Sequence, residues 1–437
     1  MGGTCLPTVK ITYPQIALEV FAKYVTTKCL VKNKIDRTQV TPTQWKAYIR
    51  ACKPDIVTSL SDIPFTQRPY SQKRIMKSLE RSTAWLADLL SSAKDSNAYS
   101  NDGLDSHIPN VFVHMVGAQD IRARRAFADG LVETLYGQDF ELIKPLKTLD
   151  EGLSGYIFDL VPLKAAILGA EDESSHETVL ELLKASLTPL PPQKLRIAHS
   201  SRSPHEILRL IGDVGIDLLD APFAQRAADL GIALDFRFPV FDDPETVAQS
   251  CPPPLKREYT GRDIGHNLFS NTYAHDHSRL ASLFLDAASV SELPDSHERR
   301  SLVCPCAACS PVTPLEGTKH SAVDVLHPQD SSKVALNLPY SRAYLHHLLH
   351  THEMSSHTLL TMHNLSVVDR FFADIRKILA QPDGETNFRQ EVERFHNVYD
   401  ESLVVFNEAQ ALWAKVERER GKGRLAREKS ASVVDKE

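Results

Sequence analysis

Three thiols fall within six residues in Cys304-Pro305-Cys306-Ala307-Ala308-Cys309. Thiolates at this spacing can converge on one soft cation. Without a cation, their mutual repulsion and their ease of oxidation make the arrangement costly. An iron-sulfur cluster calls for a fourth cysteine. Beyond Cys52 the only other cysteine is Cys251, and its Cys-Pro-Pro-Pro setting does not suggest a ligand. Zinc bound by three cysteines and one histidine fits better. Downstream histidines supply the fourth ligand: His346, His347, His350, His352, His357 and His363. His352-Glu353-Met354-Ser355-Ser356-His357 resembles a metalloprotease motif with one residue too many, which takes its two histidines off a common helical face. His346 and His350, at i and i+4, share a face, though polar positions on an amphipathic helix account for them as well. Spacing leaves His346, His350 and His363 open. Four protein ligands leave no coordination position for water, so the ion would be structural, pinning the 304–309 loop to helices beyond 340.

A second set of reactive side chains sits where short apolar strands are expected to end. The segment 53–62 reads as a strand ending in a carboxylate, followed by a helix from Gln72 to Leu90. Then come a strand at Val111–Val116 and a helix at Ile121–Leu135, and next a strand at Gly155–Leu160 and a helix at Glu177–Leu187. A strand at Leu195–His199, a helix at Pro204–Asp213 and a strand at Gly215–Asp220 complete the series. Alternating strands and helices predict an α/β fold with a parallel sheet, either a (β/α) barrel or a doubly wound sheet. No Gly-x-Gly-x-x-Gly follows a strand, which disfavours the dinucleotide-binding version. A barrel carries its chemistry at the C-terminal strand ends. Asp62, His114, Asp159, His199, Asp217 and Asp220 are placed there, and capping or solvation accounts for each of them singly.

The chain has 437 residues, a formal net charge of -6 and 42% hydrophobic residues, so it is a globular protein and not a strongly basic binder. No stretch approaches the length of a membrane span, and Met1-Gly2-Gly3-Thr4-Cys5-Leu6 opens no secretory signal. Seven cysteines, an odd and sparse set, argue for a reducing compartment. Cys251-Pro252-Pro253-Pro254, Ser291–Arg300 and the Pro/Ser/Asp-rich stretch 310–339 read as loops. Helical periodicity returns at 342–380 and at 386–416, where Phe388, Val392, Phe395 and Tyr399 share a face. The tail from Val416 to Lys429 is rich in basic residues and reads as a solvated end, with nucleic-acid contact as the alternative.

The cysteine cluster, Ser341-Arg342-Ala343-Tyr344-Leu345-His346-His347-Leu348-Leu349 and Thr361-Met362-His363-Asn364-Leu365 together resemble the zinc segment of the queuine/archaeosine tRNA-ribosyltransferases. Gly215-Ile216-Asp217-Leu218-Leu219-Asp220 is similar to the last barrel strand of that family. Lys53-Pro54-Asp55 through Asp62, the run Arg74 to Ser82, and Asn267-Leu268 through Tyr273 and Asp276 match as well. The resemblance covers roughly 40 to 400. It implies a TIM (β/α) barrel, here incomplete at the N-terminus, with a C-terminal zinc-binding helical subdomain. It makes His363 the fourth ligand beside Cys304, Cys306 and Cys309, around one structural Zn2+. The domains implied are an extension at 1–50, barrel units at 51–240, an irregular linker at 241–303, the zinc subdomain at 304–400, and a helix with a charged tail at 401–437.

Departures from the family pattern point to the role. Catalytic members exchange guanine in the tRNA anticodon through a covalent Asp and follow that Asp with Cys-Val-x-Pro-Thr-Arg. Here Asp220 precedes Ala221-Pro222-Phe223-Ala224-Gln225-Arg226. A base-reading Gln-Gly becomes Val116-Gly117, and a Gly-Gly beside the base becomes Asp159-Leu160. A valine cannot hydrogen-bond a purine edge, and bulk at 159–160 fills the slot for the base. The run carrying the second catalytic Asp is missing. The resemblance therefore implies a non-catalytic subunit of a heterodimer, paired with a catalytic chain through the helices at 342–380 and meeting tRNA in the complex. It also implies a cytoplasmic location with peripheral association at the mitochondrial outer membrane. The competing readings are an active transglycosylase using Asp220 as nucleophile, and a zinc-stabilised scaffold with no RNA link.

Overall fold

The computed structural model describes residues 29–32, 37–63, 70–91, 110–165, 174–240, 251–282, 284, 303–314, 334–336 and 338–420. Most of the 1–50 extension, the loop expected at Ser291–Arg300, most of the 310–339 stretch and the tail beyond Arg420 lie outside the described residues. The chain divides into two compact units. One comprises Met1–Ser201 with Arg209–Asp220, the other Arg202–Leu208 with Ala221–Glu437.

In the first unit, β1 (Cys29–Lys32) pairs antiparallel with β2 (Arg37–Val40). Helix α1 (Pro42–Cys52) begins with a capping box between Thr41 and Gln44. The alternation then runs β3 (Ile56–Thr58), α2 (Gln72–Ser91), β4 (Asn110–His114), α3 (Ile121–Val132), α4 (Gly137–Ile143), β5 (Gly155–Asp159), α5 (Leu160–Ala165), α6 (Ser174–Leu187) and β6 (Leu195–His199). After α7 (Pro204–Arg209) and a π-helical turn at Leu210–Val214 comes β7 (Leu218–Leu219). Strands β3 to β7 form one parallel sheet in sequential order. That order contains no reversal, so the switch point of a doubly wound sheet does not occur among these strands.

Both faces of the strands are apolar, as a parallel sheet requires. Val111, Val113, Tyr156, Phe158 and Ala198 share a core with Leu86 of α2, Phe127 and Leu131 of α3, and Leu182 and Leu183 of α6. Phe112, Ile157 and Ile197 form a separate cluster. The two sets alternate along β4, β5 and β6 because successive side chains leave opposite faces. Gly155 is required by this packing: a Cβ there would meet the Leu195 carbonyl oxygen and the Phe112 ring.

Three expected elements are shorter than their apolar patterns. The 53–62 strand is confined to β3, so Asp62 lies beyond its end. The 204–213 helix passes into the π turn, which Gly215 ends at φ 74°. The 215–220 strand shrinks to Leu218–Leu219, because Ile216 donates its N–H back to the Leu210 carbonyl. Asp217 therefore precedes β7 instead of closing it, and its carboxylate accepts the Arg196 N–H at 2.8 Å. Asp217 is thus removed from the set of C-terminal strand-end residues.

The second unit starts, beyond α7, with α8 (Pro222–Asp229) and β8 (Ile232–Leu234). It continues through β9 (Lys256–Arg257), β10 (Gly261–Arg262), β11 (Gly265–Asn267), β12 (Val312–Pro314) and β13 (Val334–Leu336). It ends with α9 (Arg342–His350), α10 (Met354–Leu379), α11 (Gly384–Val398) and α12 (Val404–Arg420). Strand β8 pairs antiparallel with β11, Leu234 opposite Gly265 and Ile232 opposite Asn267. An aromatic core of Phe236, Phe238, Phe371, Phe388 and Phe395 packs edge to face between the β8 segment and α10 and α11.

The two long helical stretches read from the sequence are four helices. The first breaks at His352, whose φ is +61°. The second breaks where the Asp400 carboxylate accepts the N–H groups of Ser402 and Val404, capping α12 at 3.0 and 2.8 Å. None of the described helices is long and apolar enough to cross a membrane.

Leu131 is fully buried between α3 and the sheet. Leu131→Ala is expected to cost about 2–5 kcal/mol through lost contacts and a residual cavity, read as a lowered midpoint in urea unfolding. Leu195→Ala, at an exposed position, serves as the near-neutral control.

Candidate metal centre

The cysteine loop is a tight turn. Ser310 N–H donates to the Cys306 carbonyl at 2.8 Å, and Ser310 Oγ donates to the Cys304 carbonyl at 2.7 Å. The Cys309 N–H points at Cys306 Sγ from 3.3 Å, a backbone donor that favours a thiolate there. The turn brings Cys304 Sγ and Cys306 Sγ to 3.4 Å from each other.

His363, the tenth residue of α10, completes the group. Its Nδ1 lies 3.3 Å from Cys309 Sγ and 3.9 Å from Cys304 Sγ. The four donor atoms all lie within 4.8 Å of one another. A tetrahedron with Zn–S near 2.3 Å and Zn–N near 2.1 Å has edges of about 3.6–3.8 Å, so these separations fit one ion of that size. Three sulfurs and one imidazole nitrogen are also the donor set that a borderline-soft dication prefers over calcium or magnesium.

The imidazole is oriented from behind. His363 Nε2 lies 3.0 Å from the Leu234 carbonyl oxygen. A carbonyl only accepts, so Nε2 carries the hydrogen and Nδ1 presents its lone pair to the sulfurs. The next residue, Asn364, is fully buried. Its Oδ1 accepts the Leu234 N–H at 2.9 Å, and its Nδ2 donates to the carbonyls of Ile232 and Ala224. Strand β8 is held in turn by the Asp235–His266 pair. His266 Nε2 lies 3.0 Å from Asp235 Oδ2, and Nδ1 lies 3.1 Å from the Tyr273 hydroxyl. Burial pushes the His266 pKa down, which keeps the ring neutral, with Nε2–H donating to Asp235. On the other side, the Tyr340 N–H donates to the Ala308 carbonyl and joins the cysteine loop to the approach to α9.

Without a cation the four groups share protons unevenly. Cys304 and Cys309, hydrogen-bonded to the Cys306 sulfur, push its pKa far down. Contact with Cys304 pushes Cys309 well up. Burial would lower His363, but hydrogen bonds and charge from Cys304 and Cys306 outweigh it and hold the imidazole up to about 10. Without a cation these shifts favour a thiolate at Cys306 beside a protonated His363, so a dication must displace that proton.

The other sequence-derived candidates go elsewhere. His346 and His350 bond to the backbone carbonyls of Leu268 and Phe269, and His357 to that of Ala228. Cys251 is buried with its sulfur 3.3 Å from the Arg342 guanidinium. Spacing alone gave no sign of the Asp235–His266–Tyr273 network, in which Asp235 precedes His266 by 31 residues.

In the first unit, Asp62 is buried and clamped by Arg74 at 2.6 and 2.9 Å and by Arg81 at 3.1 Å. His114 and Asp159 border a cavity of about 30 Å³ with Val116, Gly117, Gln119 and Leu163. Burial lowers the His114 pKa to about 4 and raises that of Asp159. Among the described residues, His114 Nδ1 and Gln119 Nε2 have no hydrogen-bond partner. Both oxygens of Asp220 accept the Ser200 N–H, at 2.8 and 3.0 Å, and His199 Nδ1 stands 3.4 Å from Oδ2.

A family model described as queuine tRNA-ribosyltransferase matches residues 12–401. The chain is similar to the curated protein "Queuine tRNA-ribosyltransferase accessory subunit 2" of Xenopus tropicalis, 26% identical over 360 residues, which is 82% of this chain and 70% of the relative. The Homo sapiens protein of the same name is 24% identical over 377 residues, 82% of this chain and 71% of the relative. For the Schizosaccharomyces pombe protein the figures are 24% over 357 residues, 81% and 55%. The chain therefore spans between 55% and 71% of the length of these relatives.

Cys306→Ser and His363→Ala are each expected to lose the ion retained after dialysis and to lower the melting temperature. His346→Ala should keep that ion. Elemental analysis beside thermal melting separates the patterns. Metal uptake at pH 7 should release protons, because the metal-free His363 is still protonated there, and affinity should fall as pH falls. Calorimetry in buffers of differing ionisation enthalpy reads this directly, and an apparent enthalpy independent of buffer would count against it.

Proposed function

The chain belongs to the queuine tRNA-ribosyltransferase family, and we propose that it serves there as a non-catalytic, zinc-binding subunit that joins a catalytic chain to support exchange of guanine for queuine in the tRNA anticodon. The observation that carries this reading is the state of the strand ends. The cavity beside His114, Val116 and Asp159 has room for about two waters, not for a bicyclic purine. Asp220 keeps the carboxylate of a nucleophile, but both oxygens accept the Ser200 N–H and one faces His199. A nucleophile profits from proximity only where a slot for its substrate adjoins it, and this small cavity is lined by His114 and Asp159, not by Asp220. The printed names of the curated relatives favour the same role.

In this reading Cys304, Cys306, Cys309 and His363 hold one zinc ion, and the parallel strands β3 to β7 are consecutive staves of a (β/α) barrel. Bound zinc supplies a closed, four-ligand crosslink and no reactive position. The chain's own residues do the rest: the cysteine turn, His363 and Asn364 fix α10 against β8 and α8. The exposed faces of α9 and α10 suit the junction with the catalytic chain. Tyr344, Met362 and Leu365 are large apolar side chains, each more than two fifths exposed.

One observation favours a second reading, direct base exchange: the Asp220 side chain is one-third exposed. Base exchange into tRNA distinguishes the two. Activity is expected only when this chain is mixed with the catalytic chain, and Asp220→Asn should leave the activity of the mixture within about twofold. Exchange by this chain alone, abolished by Asp220→Asn, would establish the second reading.

A further inference from the structure

His346 and His350 lie one turn apart on α9, outside the thiol centre, with ring centroids 4.3 Å apart. His346 Nδ1 stands 2.8 Å from the Leu268 carbonyl oxygen, and His350 Nε2 stands 3.2 Å from that of Phe269. Both partners are pure acceptors, so both of these nitrogens carry hydrogen. The lone pairs are therefore left on His346 Nε2 and His350 Nδ1. Proteins prepare imidazoles for metal ions in this way, tying one nitrogen to a backbone acceptor so that the other meets the cation. Tethering α9 to Leu268 and Phe269 accounts for one nitrogen of each ring. Their i, i+4 spacing on α9 sets the two rings side by side.

The surroundings agree. His346 is half-buried and His350 exposed, so water reaches the pair from the solvent side. Burial lowers the proton affinity of His346 against the Leu268 hydrogen bond, which raises it, and the neighbouring His350, His347 and His275 lower it further. Imidazole nitrogen suits nickel, copper and zinc and gives no advantage to magnesium or calcium.

We propose that His346 and His350 form a second cation site, which takes one divalent transition ion of the nickel, copper and zinc class with water completing its coordination. With two protein ligands in place of four, this site is weaker than the thiol centre and exchanges its ion. The proposal rests only on α9 and the Leu268–Phe269 backbone, and is independent of the role assigned to the chain.

The test uses the full chain with its thiol centre loaded with zinc and dialysed, titrated with Ni2+ by calorimetry. One binding event is expected. His346→Asn and His350→Gln keep an amide donor for the carbonyls but remove the imidazole. Each should weaken Ni2+ binding at least about tenfold, with zinc content and melting temperature unchanged. His352→Ala, nearby but outside the pair, should bind as the parent does. Equal Ni2+ affinity in the parent and in the His346→Asn/His350→Gln double variant would overturn the site, as would Ni2+ uptake that matches zinc release. If the variants do not fold, Cu2+ resonance spectra of the unsubstituted chain decide. Hyperfine structure from two nitrogens supports the pair, and an oxygen-only pattern overturns it.

Discussion

The hydrogen bond from His363 Nε2 to the Leu234 carbonyl governs the second unit. It settles which nitrogen of a fully buried ring faces the sulfurs, and it does so from a strand, not from the cysteine loop. The neighbouring Asn364 then satisfies the Leu234 N–H and two further carbonyls. Two consecutive residues of α10 thereby serve the cation centre on one side and complete the backbone bonding of β8 and α8 on the other. Buried polar groups arranged like this are all satisfied together or all costly together. Loss of His363 would therefore reach beyond the cysteine loop, because the strand that orients its ring is also paired with β11.

The strand ends of the first unit show the converse: reactive groups retained and then employed otherwise. Asp62 neutralises two arginines of α2. Asp159 accepts the Val161 N–H at 2.9 Å at the start of α5. Asp220 bridges the ends of β6 and β7 through Ser200. Each carboxylate is bonded to the backbone or to a cation at or beyond the end of its strand, and Leu160 fills the core with no exposed surface. Enzymes of this architecture rely on strand-end groups aimed into an open mouth. Here, among the described residues, His114 and Asp159 border a cavity of about 30 Å³.

Much of this was legible in the sequence. The cysteine spacing marked a cluster of donors that could hold one cation, and the alternation of apolar strands and helices announced a parallel sheet. Which histidine joins the cysteines was not legible from spacing, since His346, His350 and His363 all stood within reach along the chain. The choice among them depends on β8, which the apolar pattern did not mark as a separate strand. Asp217 was misplaced because Gly215 ends a π turn that the helical period does not reveal. The break at Asp400 was written in the sequence as an acidic cap, but the apolar face running through Phe395 and Tyr399 concealed it. Local patterns report which face is buried, whereas a ligand's identity follows from which carbonyl stands behind it.

The short pairing of β12 with β13 carries a consequence for chain entropy. Val312–Pro314 lies antiparallel to Val334–Leu336, and nearby Tyr340 is tied back to Ala308. The loop closed by an ion between Cys309 and His363 would otherwise include everything from 315 to 333. Closure entropy grows only logarithmically with length, by about 0.6 kcal/mol per doubling, and the two pairings confine even that increment to the segment beyond them. The length of that segment can therefore change between relatives without altering the distance the ion must span. The pairing makes the region an insertion point, open to additions that the cation centre would not sense.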